Sequence, residues 1–120
     1  LLQHEGWRLN HDCDYEQEYF NATAIIGGLE VDVQSESFGI NTSQRRHLLV
    51  LKSGPWSFIN VHAESGPDAN ARDKREWQFQ RLSQEHLLDT THVPVLAGDF
   101  NIRYGEEHCL QSAGWMDAWC

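Results

Sequence analysis

The sequence predicts an α/β (α+β) layered domain, in which grouped strands precede one long helix and a last strand returns to the sheet. Three features predict it. Between residues 19 and 64, short runs rich in branched and aromatic residues are separated by glycine and proline. A polar segment of helical period follows, "SGPDANARDKREWQFQRLSQEHLLDT". Then "VPVLAGDF" supplies an unbroken apolar run that ends on a glycine and an acid.

Taken in order, residues 10–18, "NHDCDYEQE", are polar and acidic and are expected to form a loop. "YFNATAII", residues 19–26, is β-branched and aromatic and reads as a strand that Gly27-Gly28 breaks. "LEVDVQS", residues 29–35, alternates apolar and polar, which predicts a strand with one wet face. "RRHLLVLKS", residues 45–53, and "WSFINVHAE", residues 56–64, flank Gly54-Pro55 and predict a hairpin. Asp68 or Asn70 is placed to cap the helix. Arg75, Gln78, Phe79, Leu82 and His86 then share one helical face, with Trp77 on its flank and an end near Asp89. The apolar run from Val93 lacks alternation, so burial on both faces is expected. "GEEHCLQSAG" predicts a short helix with Gly114 beyond its end, and "WMDAW" the start of another packed element.

Composition narrows the classes. The chain has 120 residues, enough for one domain or part of one, and its 40% hydrophobic content with five Trp and five Phe excludes a disordered or fibrous protein. Nine Lys and Arg against 18 Asp and Glu leave a net charge of −9, which excludes broad electrostatic wrapping of nucleic acid. A local phosphate site, or a site that uses a divalent cation to accept an anion, remains compatible. Cys13, Cys109 and Cys120 show no paired spacing and argue for a reducing, intracellular compartment. No apolar run reaches membrane-spanning length, and "LLQHEGWRLN" does not read as a signal peptide. The chain starts at Leu1, its only methionine is Met116, and it stops at Cys120 after an apolar stretch, so a piece of a longer chain is expected.

Two strand ends carry chemistry. His62, Glu64 and Ser65 follow one core strand, and Asp99, Asn101 and Arg103 follow another. Residues two apart on a strand share a face. If the two strands are neighbours with matching ends, an imidazole, carboxylates, an amide and a guanidinium converge on one rim. That set suits a phosphate and its attacking water: Asp to orient or deprotonate water, Asn and His to bond phosphate oxygens, and Arg to grip a second phosphate. Singly, each has a plainer reading. His62 alone is a satisfied structural histidine, Asp99 a turn residue bonding local backbone, and Arg103 a solvated side chain. Arg75 and Gln78 read as buttresses through buried hydrogen bonds. Glu106-Glu107-His108 reads as surface. His62-x-Glu64 lacks the cysteines of a zinc deaminase, and neither a phosphate-binding glycine loop nor His-Glu-x-x-His occurs. Asp12, Asp14 and Glu16 lack the glycine and later glutamate of a calcium loop.

"FINVHAES", a helix with Arg75 and Gln78, and "VPVLAGDFNIR" together resemble the endonuclease/exonuclease/phosphatase superfamily, and within it the 5′-tyrosyl-DNA phosphodiesterase branch. That branch carries a His-x-Glu-Ser strand end and a Gly-Asp-x-Asn-[Leu/Ile]-Arg strand end. "YFNATAI", "SFGINTSQRRHLLVL" and "GWMDAW" are similar to the flanking segments, so the resemblance spans roughly residues 19–119 in register. Ala63 stands where the branch has Leu, and Phe100 where its nearest members have Thr.

The resemblance implies two mixed sheets packed face to face with helices outside. Residues 1–120 would form a single partial domain, without the early Asn and metal-gripping Glu or the late Ser-Asp-His strand of the superfamily. It implies hydrolysis of a phosphodiester assisted by Mg²⁺, with Mn²⁺ as the alternative ion, and no metal ligand within this chain. Asp99 would orient or activate water, Asn101 would hold Asp99 and the scissile phosphate, and His62 would stabilise charge on phosphate oxygens. Glu64, Ser65, Gly66 and Pro67 would line the substrate groove together with Ile102, and Arg103 would contact DNA backbone. The implied partner is nucleic acid with a 5′-phosphotyrosyl end, acted on by a monomer in DNA repair, and a nuclear location would follow from the branch. The alternatives are another phosphodiesterase of the superfamily, acting on abasic-site DNA, RNA tails or phospholipid head groups, or a catalytically inactive fragment or binding module.

Overall fold

The structure is a computed structural model that describes residues 7–11, 22–27, 29–86 and 89–118. Strands β1 (Trp7–His11) and β2 (Ala22–Ile26) pair antiparallel as a small two-stranded sheet. Asn10 and His11, expected in a loop, instead pair with Thr23 and Ala22. The strand signal in "WRLN" is too short to stand out locally, and the partner that makes it a strand is distant in the sequence. Residues 12–21, where the rest of that loop and the start of the predicted strand fall, lie outside the described residues.

β3 (Asp32–Ser37), β4 (His47–Ser53) and β5 (Trp56–His62) form an antiparallel run, and β4 is the spine of the molecule. Its side chains alternate between two apolar layers. Leu48 and Val50 join Ile59, Val61, Phe38, Phe79 and Leu82 on one side, while Leu49 and Leu51 meet Ile25 of β2 on the other. Asn60 ties the sheets together by donating from Nδ2 to the Ala22 carbonyl at 2.9 Å and to Thr23 Oγ1 at 3.0 Å. β3 begins and ends later than the alternation predicted. Its register is set by pairing with β4, from Asp32 opposite Lys52 to Ser37 opposite His47, and Leu29 is exposed ahead of it.

Helix α1 (Ala69–His86) starts under an Asp68 cap, whose Oδ1 accepts the Ala71 N–H at 3.0 Å; Asn70 is already inside the helix. Ala71, Arg75, Gln78, Phe79 and Leu82 form its buried face, as the helical period predicted. The crossover through α1 delivers β6 (Val93–Asp99) parallel to β5, giving the order β3-β4-β5-β6. β6 was expected to be buried on both faces. It is an edge strand among the described residues, and only its inner side, through Leu96, packs on the core, while Val93, Ala97, Gly98 and Asp99 are exposed. An unalternating apolar run reports the potential for two covered faces, not their presence.

After β6, Phe100 packs on Phe79 with ring centroids 6.3 Å apart, and α2 (His108–Ser112) is followed, after its cap Ala113, by Gly114, whose φ is +101°. Trp115 donates from Nε1 to Ser83 Oγ at 3.1 Å, but Met116 and Asp117 are exposed and no further regular element follows among the described residues. No helix among them is long and apolar enough to cross a membrane.

Candidate active site

The parallel register places His62, the last residue of β5, opposite Asp99, the last residue of β6. The ladder continues one step further, with the Ala63 N–H donating to the Asp99 carbonyl at 2.9 Å. Gly98 permits this approach. Its φ is +135°, and a Cβ on it would lie 1.9 Å from the Val61 carbonyl oxygen. Asp99 therefore emerges at the rim within reach of His62: its Oδ2 is 3.8 Å from His62 Nε2. Its side chain is 67% exposed, open to water and to a ligand.

Asn101 closes the turn. It adopts a left-handed conformation, φ +50°, which asparagine tolerates better than most residues. Its N–H donates to Asp99 Oδ1 at 2.9 Å, and its Nδ2 donates to the Ala63 carbonyl at 3.0 Å. One residue thus orients the Asp99 carboxylate and staples the two strand exits together.

His62 meets Arg46 on its other side, with Arg46 Nη1 2.8 Å from His62 Nδ1. Burial lowers the pKa of His62 below its ordinary value; the Arg46 charge lowers it too, and Asp99 pulls weakly the other way. The segment carrying Arg46 is fixed from below. Glu64, 2% exposed, accepts the Thr42 hydroxyl at 2.7 Å and the Ser43 N–H at 3.0 Å. Gln44 Oε1 accepts from Arg46 Nε and Nη2 at 3.1 and 2.9 Å, and from the Ser65 N–H and hydroxyl at 3.1 and 2.8 Å.

Beneath the rim, Arg75 is almost fully buried and joins the two strand exits. Its Nε and Nη2 each lie 2.8 Å from a carboxylate oxygen of Glu106, and its Nη1 donates to the carbonyls of Glu64 and Gly66. Hydrogen bonds from Arg75 hold the Glu106 carboxyl below its ordinary pKa, and the same bonds raise Arg75. Gln78 accepts the Glu64 N–H and donates to the Asn41 carbonyl. Both buttressing roles are those the helical face suggested.

The structure therefore brings His62, Asp99 and Asn101 together. Glu64, expected to line a substrate groove, turns under the loop, because both its oxygens are engaged by Thr42 and Ser43. Ile102, expected in the same groove, packs on the core beside Phe100. Ser65 and Gly66 form the adjoining loop with exposed Pro67, and Arg103 is exposed. Ala63, where the branch has a larger residue, is fully buried against the core. Three residues escaped the sequence reading. Glu106, read as surface, is buried because Arg75 needs a counter-charge. Arg46 and Gln44 reach the site only because the hairpin folds the approach to β4 beside the exit of β5; the double arginine ahead of an apolar strand was the available signal.

Among the described residues, no group of three or more His, Cys, Asp or Glu could hold a metal ion. Asp99 offers a single exposed carboxylate, and Glu64 is committed to the loop. These residues alone do not fit a Mg²⁺ cage, which calls for near-octahedral oxygen ligation.

The four-stranded mixed sheet with its crossover helix is shared with solved structures of the TDP2 fold. Among solved structures, the chain is similar to TDP2 of D. rerio complexed with single-strand DNA product, at TM-score 0.72 and 20% identity over 94% of this chain and 45% of that one. A D. rerio TDP2 humanized by 14 mutations gives 0.69 and 21% over 94% of this chain and 46% of that chain. TDP2 from C. elegans gives 0.66 and 19% over 84% of this chain and 33% of that chain. At such identity the likeness shows the fold, and the chain spans less than half of each of these structures. No protein-family model and no curated protein matches the sequence.

Proposed function

We propose that the rim at the ends of β5 and β6 hydrolyses phosphodiesters, and that the substrate is DNA bearing a 5′-phosphotyrosyl end. The carrying observation is the facing of His62 and Asp99 across the parallel pairing of β5 and β6, with Asn101 holding the carboxylate. Asp99 orients a water molecule and takes its proton as the new O–P bond forms. The bond from phosphorus to the tyrosine oxygen breaks, and solvent returns a proton to the leaving phenolate. His62 donates a hydrogen bond to a non-bridging phosphate oxygen, where charge develops. The likeness to a TDP2 solved with single-strand DNA product supports the substrate class.

Mg²⁺, with Mn²⁺ as substitute, would supply neutralisation of phosphate charge and a more acidic water if other residues held it. A net charge of −9 makes such an ion fitting for an anionic substrate. The described residues supply no cage for it, so its ligands are part of what must be found.

The test is cleavage of a 5′-phosphotyrosyl oligonucleotide by the full-length protein, with Mg²⁺ and with chelator. Release of tyrosine only with Mg²⁺ supports the reading. Cleavage of other phosphodiesters alone keeps the reaction and moves the substrate. No cleavage of either, by a folded protein with the metal present, overturns it.

A further inference from the structure

Arg46 and His62 meet in a way that constrains a proton. Arginine has only donors and stays protonated at any pH a protein survives. At 2.8 Å from Arg46 Nη1, His62 Nδ1 must therefore present its lone pair. The ring proton is left to Nε2. That nitrogen faces Asp99 Oδ2 across 3.8 Å, too far for a direct hydrogen bond and close enough for one oxygen seated beside the pair to touch both. Arg46 is itself aimed: its Nε and Nη2 both donate to Gln44 Oε1, and the Gln44 amide is anchored to Ser65. Among the described residues, the charged groups facing the imidazole are Arg46, from the segment ahead of β4, and Asp99, from β6.

We propose that Arg46 is a positioning residue that fixes His62 as the neutral Nε2–H tautomer, so that His62 meets the substrate oxygen as a hydrogen-bond donor. This rests on the phosphodiesterase reading for its consequence, but not for its measurement. Without Arg46, Nδ1 would be free to carry the proton, and the ring would exchange between its two neutral tautomers. The lowered pKa of His62 agrees with an imidazole that stays neutral at physiological pH.

The experiment is ¹⁵N NMR of the full-length protein labelled in histidine. The His62 signals are picked out among those of the other histidines by comparison with His62→Gln. The expected spectrum shows an unprotonated Nδ1 and a protonated Nε2. Arg46→Ala should move both nitrogens toward the average of the two tautomers, and Arg46→Lys, which keeps a donor, should restore the pattern. A protonated Nδ1 in the unsubstituted protein overturns the proposal without any variant. So do shifts that Arg46→Ala leaves unchanged.

Kinetics give the second arm. Arg46→Ala should lower kcat about tenfold, and should cost nothing further in a His62→Ala background, because its effect runs through the imidazole. A further tenfold loss there would show Arg46 acting on the substrate itself, and would overturn the positioning role. If the nitrogen shifts behave as expected but no phosphodiester is cleaved, the tautomer assignment stands and the functional reading falls.

Discussion

Asp99 and Gly98 are adjacent, yet they serve the site in different ways, and substitution separates the two. Asp99 is largely exposed, and an asparagine in its place can still accept the Asn101 N–H. Asp99→Asn should therefore leave the melting temperature nearly unchanged while lowering turnover by about 10²–10⁴-fold, the usual worth of a proton acceptor. A variant that keeps the full rate would remove Asp99 from the reaction. Gly98→Ala should do the reverse of sparing the fold. A methyl group 1.9 Å from the Val61 carbonyl oxygen cannot be accommodated without parting β5 from β6. A loss of about 3 kcal/mol or more is expected in urea unfolding, with faster amide exchange at Ala63. A variant as stable as the parent would mean that the strands separate there at little cost. The sequence made His62, Asp99 and Asn101 legible, because strand period and strand ends are local properties. Arg46 was not legible, since its partner depends on how a hairpin closes.

Elements hold the site through one buried ion pair. Arg75 of α1 bonds the exit of β5 and the segment after β6 at once, so the helix clamps both halves of the rim. Glu106→Gln removes the counter-charge and leaves a guanidinium buried, which should cost about 3–5 kcal/mol at neutral pH. The pH dependence has a definite sign. The folded state holds Glu106 below its ordinary pKa of 4.5, so the unfolded chain binds its proton more readily. The stabilisation is complete above 4.5 and is lost as pH falls through the lowered folded value. Urea unfolding across the acidic range should show that dependence in the parent and lose it in Glu106→Gln. Equal stability of both proteins at neutral pH would remove the clamp. The hairpin and α1 were legible from turn residues and helical period. β1 and the exposure of β6 were not, because each depends on what lies against the strand in space.

At the scale of the whole molecule, the site straddles the only parallel pairing among the described strands. β4 and β5 close over the short turn at Gly54 and Pro55, a local event. β6 can reach β5 only after the chain has travelled through α1 and back, and closing that longer loop carries more entropy. The two halves of the rim therefore belong to different moments of folding. His62 and Arg46 are in place once the antiparallel run forms, whereas Asp99 and Asn101 arrive with the crossover. On dilution from denaturant, strand signal should return first and turnover after it, with a lag that lengthens in Gly98→Ala. Simultaneous recovery would mean that the crossover closes with the hairpin. If the proposed activity holds, turnover becomes a clock hand for assembly, moving only when the last strand has docked.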